Sequence, residues 1–230
     1  DPRRVRAAAD RHGAQLVRHP VNRGPAAARN TGLAAATTDA VAFLDADCVA
    51  PPGWPQSMLH HFSDPAVAVV APRVLPSPGD GGVVDRFESC RSALDMGPLP
   101  ELVRPGARLG FVPSAALVAR REAVGAGFDE DLRLGEDVDL VWRLDDGGWQ
   151  VRYDPTVVVR HAPRAGRAAW LTRRLAYGTS APALARRHPG RLVPARVSGW
   201  NLAVLGLGST GRWQAGTLVA AGATAALARR

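Results

Sequence analysis

The sequence predicts an α/β layered fold in which short apolar strands alternate with helices. Runs such as Val41–Leu44 and Val67–Val70 are uniformly apolar and have the length of buried strands. Stretches such as Arg23–Thr37 and Val138–Asp146 lie between the strands and have helical character. A chain of 230 residues with 46% hydrophobic content is large enough for one α/β domain, or for a domain with an appendage.

The elements follow one another with recognisable breaks. Asp1 is a candidate cap for a first helix over Pro2–His12, and the turn-forming residues Asn22–Gly24 introduce the second helix. Pro51–Gly53 interrupts the chain before the next helix. The other predicted elements, in chain order, are a strand over Ala14–Arg18, helices over Trp54–Phe62 and Val83–Asp95, a loop over Gly97–Gly106, a strand over Ala115–Ala119, a short helix over Arg121–Val124, and two strands over Gln150–Tyr153 and Thr156–Arg160.

Charge is distributed unevenly along the chain. All 29 basic residues are Arg and none is Lys, as in proteins from GC-rich genomes, so the Arg content alone does not indicate nucleic-acid binding. Residues 1–154 hold 17 Arg and all 21 acidic residues, a net charge of −4, whereas residues 155–230 hold 12 Arg and no acid, a net charge of +12. We therefore predict a catalytic-type domain over residues 1–163 and a basic helical tail over residues 164–230.

The predicted tail has several interpretations. Its apolar stretches, Trp200–Leu207 and Ala215–Ala228, are each shorter than the roughly 20 residues that span a bilayer. They could form a buried hairpin or lie at a membrane interface next to anionic lipid. No nucleic-acid-binding motif accompanies the basic residues, so no nucleic-acid partner is predicted. The arginines considered for lipid contact are Arg164, Arg167, Arg173, Arg174, Arg186, Arg187, Arg191 and Arg196.

The two cysteines, Cys48 and Cys90, form neither a disulfide framework nor a metal-binding spacing. Asp1-Pro-Arg-Arg lacks the apolar region of a signal peptide. We therefore expect a reducing, cytoplasmic location, with the tail as a candidate for attachment to the cytoplasmic membrane.

Asp45 and Asp47 directly follow the apolar strand Val41–Leu44. Ligands of open α/β sheets bind at the carboxyl ends of the strands, and residues i and i+2 of an extended segment point the same way. One hard cation such as Mg2+ or Mn2+ could then bridge both carboxylates and a substrate diphosphate. The same pattern also occurs in solvated turns and helix caps.

Glu136 and Asp137 open the helix that follows Gly135, and Asp139, which we expect to face solvent, is close by. Acids are favoured in the first turn of any helix. Crowded carboxylates raise one another's pKa, whereas a helix N-terminus lowers it, so one such group can remain an ionised base near neutral pH.

Taken in order, the motifs resemble glycosyltransferase family 2, the inverting nucleotide-sugar transferases of the Rossmann-like GT-A fold. The resemblance covers roughly residues 1–165. It is carried by Asn22-Arg-Gly-Pro-Ala-Ala-Ala-Arg-Asn-Thr-Gly32, Phe43-Leu-Asp-Ala-Asp47, Gly110-Phe-Val-Pro-Ser114, Gly135-Glu-Asp-Val-Asp-Leu-Val-Trp-Arg143 and the closing His161.

The resemblance implies a role for each of these motifs. Asp45 and Asp47 hold a divalent metal, Mg2+ or Mn2+, against the donor diphosphate, and His161 lies near that metal or diphosphate. Asp137, beside Glu136, deprotonates the acceptor hydroxyl. The residues expected next to the nucleotide or substrates are Arg29, Asn30, Gly110 and Ser114.

Within the family, Val112–Val118, Gly135–Leu144 and Val151–His161 resemble the mycofactocin-system branch. This implies hexose transfer, with glucose expected, from a nucleotide-diphosphate sugar to a peptide-derived acceptor or its growing glycan. A polysaccharide or lipid-linked-sugar synthase and a non-catalytic nucleotide-sugar-binding fragment remain alternatives. The family begins with two strands that hold the nucleotide base, and Asp1-Pro2 matches a position just after them, so we expect the first strands to be missing.

Overall fold

A computed structural model describes residues 2–79, 81–162, 166–192 and 199–228 of the chain. The strands are β1 Ala40–Leu44, β2 Cys48–Val49, β3 Val67–Pro76, β4 Glu101–Val103, β5 Ala116–Arg120 and β6 Gln150–His161. The helices are α1 Pro2–Arg11, α2 Gly24–Ala35, α3 Trp54–Met58, α4 Val83–Arg91, α5 Glu136–Asp146, α6 Arg167–Gly178, α7 Ala181–Arg187, α8 Gly199–Ser209 and α9 Trp213–Ala228. A 3-10 helix, Leu59–Ser63, continues α3.

The strands form one open, mixed sheet in the order β1-β5-β3-β6-β2, with β4 also paired to β6. β5 is antiparallel to both β1 and β3, and β3 is parallel to β6. β1, β3 and β6 therefore run in the same direction, so their carboxyl ends lie at the same edge of the sheet. This edge carries the residues that follow Leu44 together with His161, the last residue of β6.

The sheet separates two apolar layers. Val69 and Leu117 pack on one face, whereas Val70 and Val118, the next residues along the same strands, pack on the other. This alternation is the period-two pattern of strands, and β3 and β5 are buried on both faces because each face has its own cover. Leu140 of α5 lies in the first layer, so α5 is held against the sheet.

The open α/β sheet that the sequence predicts is confirmed, but several elements differ. The short helix predicted over Arg121–Val124 is a turn, and the loop predicted over Gly97–Gly106 contains the strand β4. The strand predicted over Ala14–Arg18 is wrong: this segment is irregular and exposed, and it has no strand partner among the described residues. The division into two strands predicted at Asp154-Pro155 is also wrong. β6 is continuous, and Pro155 lies where the pairing between β6 and β3 shifts in register. The basic tail, predicted to be helical, begins with two helices, which are separated at Thr179–Ser180 just before Pro182.

The chain divides into two compact units, Asp1–Arg191 and Leu192–Arg230. The predicted boundary at residues 163–164 lies outside the described residues, as do Asp1, Arg164 and Arg196. In the second unit, α8 and α9 pack against each other. Within the described ranges, every helix is too short or too polar to cross a membrane.

Candidate active site

A cleft of about 800 Å³ lies at the carboxyl edge of the sheet. One side is formed by the residues after β1 and the start of α2, and another by the loop before β5 and the start of α5. His161 at the end of β6 and one face of α6 complete it. The fold thus gathers most of the sequence-predicted site residues in one place: Arg29, Asp45, Asp47, Ser114, Glu136, Asp137 and His161.

The first acidic pair is arranged differently from the sequence prediction. Asp45 leaves β1 with its backbone N–H donating to the carbonyl of Ala115 (2.9 Å), and the carbonyl of Asp45 accepts from the N–H of Cys48 (2.9 Å). Residues 46–47 therefore form a turn, not an extended segment, and the Asp45 and Asp47 carboxylates have different partners.

The backbone brings Asp47 and His161 together. Cys48 pairs with His161 in the β2–β6 ladder, and the N–H of Ala162 donates to the carbonyl of Asp47 (2.8 Å). The Asp47 Oδ2 and His161 Nε2 atoms consequently lie 3.4 Å apart. The Asp47 side chain is 42% exposed, so a carboxylate oxygen and an imidazole nitrogen face the cleft side by side.

Arg29 connects the two acidic ends of the cleft. Its guanidinium donates to Asp45 Oδ1 (2.7 Å) and to Glu136 Oε1 (2.9 Å), and it lies over the Phe128 ring, 5.2 Å from the ring centroid. The side chain is only 9% exposed, and its buried Nε has no hydrogen-bond partner among the described residues. Arg29 thus fixes the distance between Asp45 and the start of α5.

The start of α5 depends on a glycine. Gly135 precedes the helix with φ of +86°, in the left-handed region that favours glycine. A Cβ at this position would lie 3.0 Å from atoms of both Ser180 and Leu184. The close approach of the α6–α7 segment therefore requires glycine here, and it fixes the position at which Glu136 and Asp137 enter the helix.

Of the four carboxylates that line the described part of the cleft, Asp137 has a raised pKa. Burial of its carboxyl group, followed by the negative charge of Glu136, raises the pKa of Asp137 to about 6. Hydrogen bonds from the backbone of Val138 and Ser114, and the charge of Arg29, act in the opposite direction. The group is therefore ionised at neutral pH but basic enough to accept a proton, which suits a general base.

The expectation that Asp139 faces solvent is wrong. Asp139 is 2% exposed, and its carboxylate binds His188 Nε2 (2.9 Å) and Arg143 Nε (2.7 Å). Arg143 also donates to the carbonyl of Gly127 (2.7 Å). The buried His188–Asp139 contact attaches the end of α7 to α5, so Asp139 has a structural role behind the cleft.

Several arginines of the predicted basic tail are engaged within the first unit. Arg174 pairs with Glu88 (2.9 Å), Arg187 with Asp129, and Arg191 with both Asp145 (3.2 Å) and Asp146. The positive charge of α6 and α7 therefore complements the acidic residues of the preceding domain. The sequence did not predict this arrangement, because its acids and arginines lie 40 or more positions apart.

Two predicted substrate-binding residues do not line the cleft. The Asn30 amide donates to the carbonyl of Phe128 (2.8 Å) and to Glu130 Oε1 (3.0 Å), and its oxygen accepts from the Phe128 N–H (2.8 Å). The Gly110 carbonyl accepts from Trp142 Nε1 (2.9 Å). Asn30 and Gly110 therefore stabilise segments next to the site. Ser114, in contrast, is buried in the cleft, and its backbone N–H donates to Asp137.

The sequence reasoning missed three cleft residues of the α6 segment: Arg173, Tyr177 and Ser180. Arg173 and Tyr177 are four positions apart and lie on one face of α6, and Ser180 follows the end of that helix. That periodicity was visible in the sequence. Its relevance was not, because only the fold shows that this face is opposite the acidic motifs.

A second group of potential metal ligands lies where the 3-10 helix Leu59–Ser63 meets β6. His60, His61 and Asp154 bring their ligand atoms within 4.8 Å of one another. Asp154 also accepts from the N–H and hydroxyl of Thr156 (2.9 and 2.6 Å) and contacts His61 Nε2 (2.8 Å). These bonds hold the irregular part of β6 around Pro155.

Comparison with known proteins agrees with this architecture. The family model described as Glycosyl transferase family 2 matches residues 2–123. A "Pre-mycofactocin glycosyltransferase" of Mycobacterium tuberculosis is 46% identical over 201 residues, which cover 84% of this chain and 43% of that protein. The chain thus spans less than half the length of this relative.

Solved structures show the same fold. The mannosyltransferase PcManGT from Pyrobaculum calidifontis, solved with GDP-Man and Mn2+, matches with a TM-score of 0.58 and 25% identity, over 98% of this chain and 62% of that one. GalNAc-T7, solved with UDP, GalNAc and Mn2+, matches with a TM-score of 0.53 and 16% identity, over 70% of this chain and 35% of that one. The fold is GT-A, and the chain belongs to glycosyltransferase family 2.

Proposed function

We propose that this protein transfers a hexose from a nucleotide-diphosphate sugar to an acceptor hydroxyl with inversion at the anomeric carbon. The observation that carries the proposal is the position of Asp137, whose pKa of about 6 suits a general base, in the same cleft as the Asp47–His161 pair. Asp137 accepts the proton of the acceptor hydroxyl as its oxygen attacks the anomeric carbon. The bond from that carbon to the diphosphate oxygen breaks, and its electron pair leaves with the diphosphate.

The Asp47 and His161 side chains fit a divalent cation. Asp47 has no arginine within ion-pair distance among the described residues, so its charge is available, whereas Asp45 is partly neutralised by Arg29. We propose Asp47 and His161 as ligands, with Asp45 assisting through its second oxygen. A cation bound there supplies electrostatic stabilisation of the departing diphosphate. The carboxylate ligands suit Mn2+ or Mg2+, and the imidazole favours a transition metal, so we expect Mn2+ to support the faster reaction.

We propose pre-mycofactocin as the acceptor and glucose as the sugar. The support is the 46% identity to the Mycobacterium tuberculosis protein over 84% of this chain. The proteins of similar fold were solved with different nucleotides, one with GDP-Man and one with UDP and GalNAc, so both nucleotide types belong in the test.

The test is a transfer assay with the full-length protein, Mn2+ and pre-mycofactocin. UDP-glucose and GDP-mannose are supplied in parallel, and mass spectrometry identifies acceptors that have gained a hexose. We expect transfer from UDP-glucose, with a β-linked product from the α-linked donor by NMR. An α-linked product would contradict inversion. Transfer to glycan or lipid-linked acceptors alone would replace the mycofactocin proposal with the synthase alternative.

We further propose that the second unit attaches the protein to a membrane surface. Large apolar side chains of α8 and α9 are exposed: Trp200, Leu202, Leu205, Trp213 and Leu218. Such helices bind the boundary between headgroups and acyl chains. The exposed Arg212, between α8 and α9, adds a positive charge that favours anionic lipid. The protein should sediment with phosphatidylglycerol vesicles, and Trp213→Ala with Leu218→Ala should reduce the bound fraction. Intact protein that stays in the supernatant at low salt would contradict the proposal.

A further inference from the structure

One face of α6 forms a wall of the cleft. Arg173 and Tyr177 of α6 line the cleft from this side, together with Ser180 just after the helix. The segment is held at both ends. Near its beginning, Trp170 Nε1 donates to Glu88 Oε1 (2.6 Å), and near its end Ser180 packs closely against Gly135. The wall is therefore built into the first compact unit.

Arg173 differs from its neighbours in having no acidic partner. Among the residues that the structure describes, no carboxylate lies within ion-pair distance of its guanidinium, although the cleft contains four acids. Arg174, the next residue, binds Glu88 (2.9 Å) and the carbonyl of Arg91 (3.1 Å). Arg133 also lines the cleft, but it is exposed, whereas Arg173 is half-buried and lies over the Tyr177 ring, 5.0 Å from its centroid.

Arg173 lies at the same end of the cleft as Asp47 and His161. Arg173 and His161 together line both the main cleft and a side lobe of about 80 Å³. His161 in turn lies 3.4 Å from Asp47. Ser180, two turns further along, lies beside Gly135 and hence at the general-base end. Arg173 is thus on the leaving-group side of the cleft.

We propose that Arg173 binds the diphosphate of the donor sugar and stabilises it as it leaves, an inference that rests on the proposed function. A guanidinium forms paired hydrogen bonds with phosphate oxygens, and contact with an aromatic ring pre-orients it. The diphosphate gains negative charge when its bond to the anomeric carbon breaks, so a fixed cation there lowers the barrier. Diphosphate recognition is then shared between the sheet edge and α6.

The test measures nucleotide binding and turnover separately. Calorimetry with UDP or GDP in the presence of Mn2+ requires no acceptor and no reaction. We expect Arg173→Gln to weaken binding of the preferred nucleotide at least tenfold and to lower kcat with the intact donor, and Arg173→Lys to restore part of both. Arg186→Gln is the charge-matched control, because Arg186 is exposed in α7 and has no carboxylate partner among the described residues.

The possible results distinguish this proposal from the proposed function. If the wild type binds nucleotide but transfers no sugar, weaker binding by Arg173→Gln still supports the diphosphate role while the transfer proposal fails. Nucleotide affinity within twofold of wild type in Arg173→Gln, with thermal unfolding unchanged, would overturn the role. A rise in acceptor KM alone would also overturn it, because it would place Arg173 in the acceptor subsite.

Discussion

The two acidic ends of the cleft contain the same type of side chain in opposite environments. Asp45 and Asp47 follow a strand in an exposed turn, and their carboxylates are 37% and 42% exposed. Glu136 and Asp137 begin a helix that packs on the sheet, and Glu136 is buried. Exposure leaves the first pair accessible to a cation, whereas burial raises the pKa of Asp137 to about 6.

The difference shows how backbone position assigns chemistry to a carboxylate. A strand end places a side chain at the sheet edge, where water and ligands reach it. The first turn of a packed helix places it against apolar layers, where the charged form is less stable. Arg29 belongs to both environments, because it binds Asp45 and Glu136 at once. The following substitutions test this division, beginning with the largest expected effect.

At the exposed end, Asp47→Asn should abolish sugar transfer and the response to divalent metal together. The substitution preserves the shape of the side chain but removes the charge beside His161. We expect a loss of at least about three orders of magnitude, as for removal of a principal electrostatic contact in a transition state. Rates measured across a Mn2+ titration test this. Asp10→Asn in α1 is the control, and near-normal, metal-dependent activity in Asp47→Asn would refute the metal assignment.

At the buried end, Asp137→Asn should lower the transfer rate by about two to four orders of magnitude, the usual contribution of a general base. Nucleotide affinity should hardly change, because the basic group acts on the acceptor. Calorimetry and a rate assay on the same preparation separate the two quantities. An equal loss of affinity and rate would show that Asp137 contributes to donor binding instead.

The connection between the ends is tested by Arg29→Gln. Because the charge of Arg29 lowers the pKa of Asp137, its removal should raise that pKa further and shift the acidic limb of the pH–rate profile to higher pH. We expect the rate at neutral pH to fall by about one order of magnitude, in line with partial protonation of the base. Arg29→Lys keeps the charge and should leave the limb closer to wild type. An unshifted limb in Arg29→Gln would show that the two ends are independent.

The sequence predicted the ends of the cleft better than its walls. Asp45, Asp47 and Asp137 are recognisable because each directly follows a strong local signal, an apolar strand or a glycine before a helix. The expectation that Asp139 faces solvent was wrong, because the residues next to an acid in the first turn of a helix do not show whether that acid is buried. Its partner His188 is 49 positions away and meets it only after α7 folds back.

Segments that depend on distant pairing were also difficult to predict. The residues 14–18 resemble a strand locally, but a strand requires a neighbour, and none pairs with them in the described chain. Conversely, Pro155 looks like a strand break, yet Asp154 binds Thr156 and His61 and holds β6 together across the proline. A local sequence pattern shows the tendency of a segment to form a strand, whereas pairing with a neighbouring strand decides whether the strand forms.

The smallest expected effect concerns stability, and it separates the two acids of α5. The pKa of Asp137 is about 6 in the folded protein, against an ordinary value of 3.8. Folding therefore favours the protonated form. This contribution is complete below about pH 3.8 and is lost as the pH rises through about 6. Asp137→Asn never ionises, so at pH 8 it should be more stable than wild type by about 1–3 kcal/mol, and the difference should shrink towards pH 4.

Urea unfolding at pH 8 and pH 4.5 measures this difference. Asp139→Asn provides the contrast on the same helix, because it removes a buried charge that binds both Arg143 and His188. It should destabilise the protein by about 3 kcal/mol or more, the range for breaking a buried ion pair. If Asp137→Asn were instead destabilising at pH 8, its carboxylate would be held by favourable contacts in the folded state. Burial would then not be what distinguishes this end of the cleft from Asp45 and Asp47.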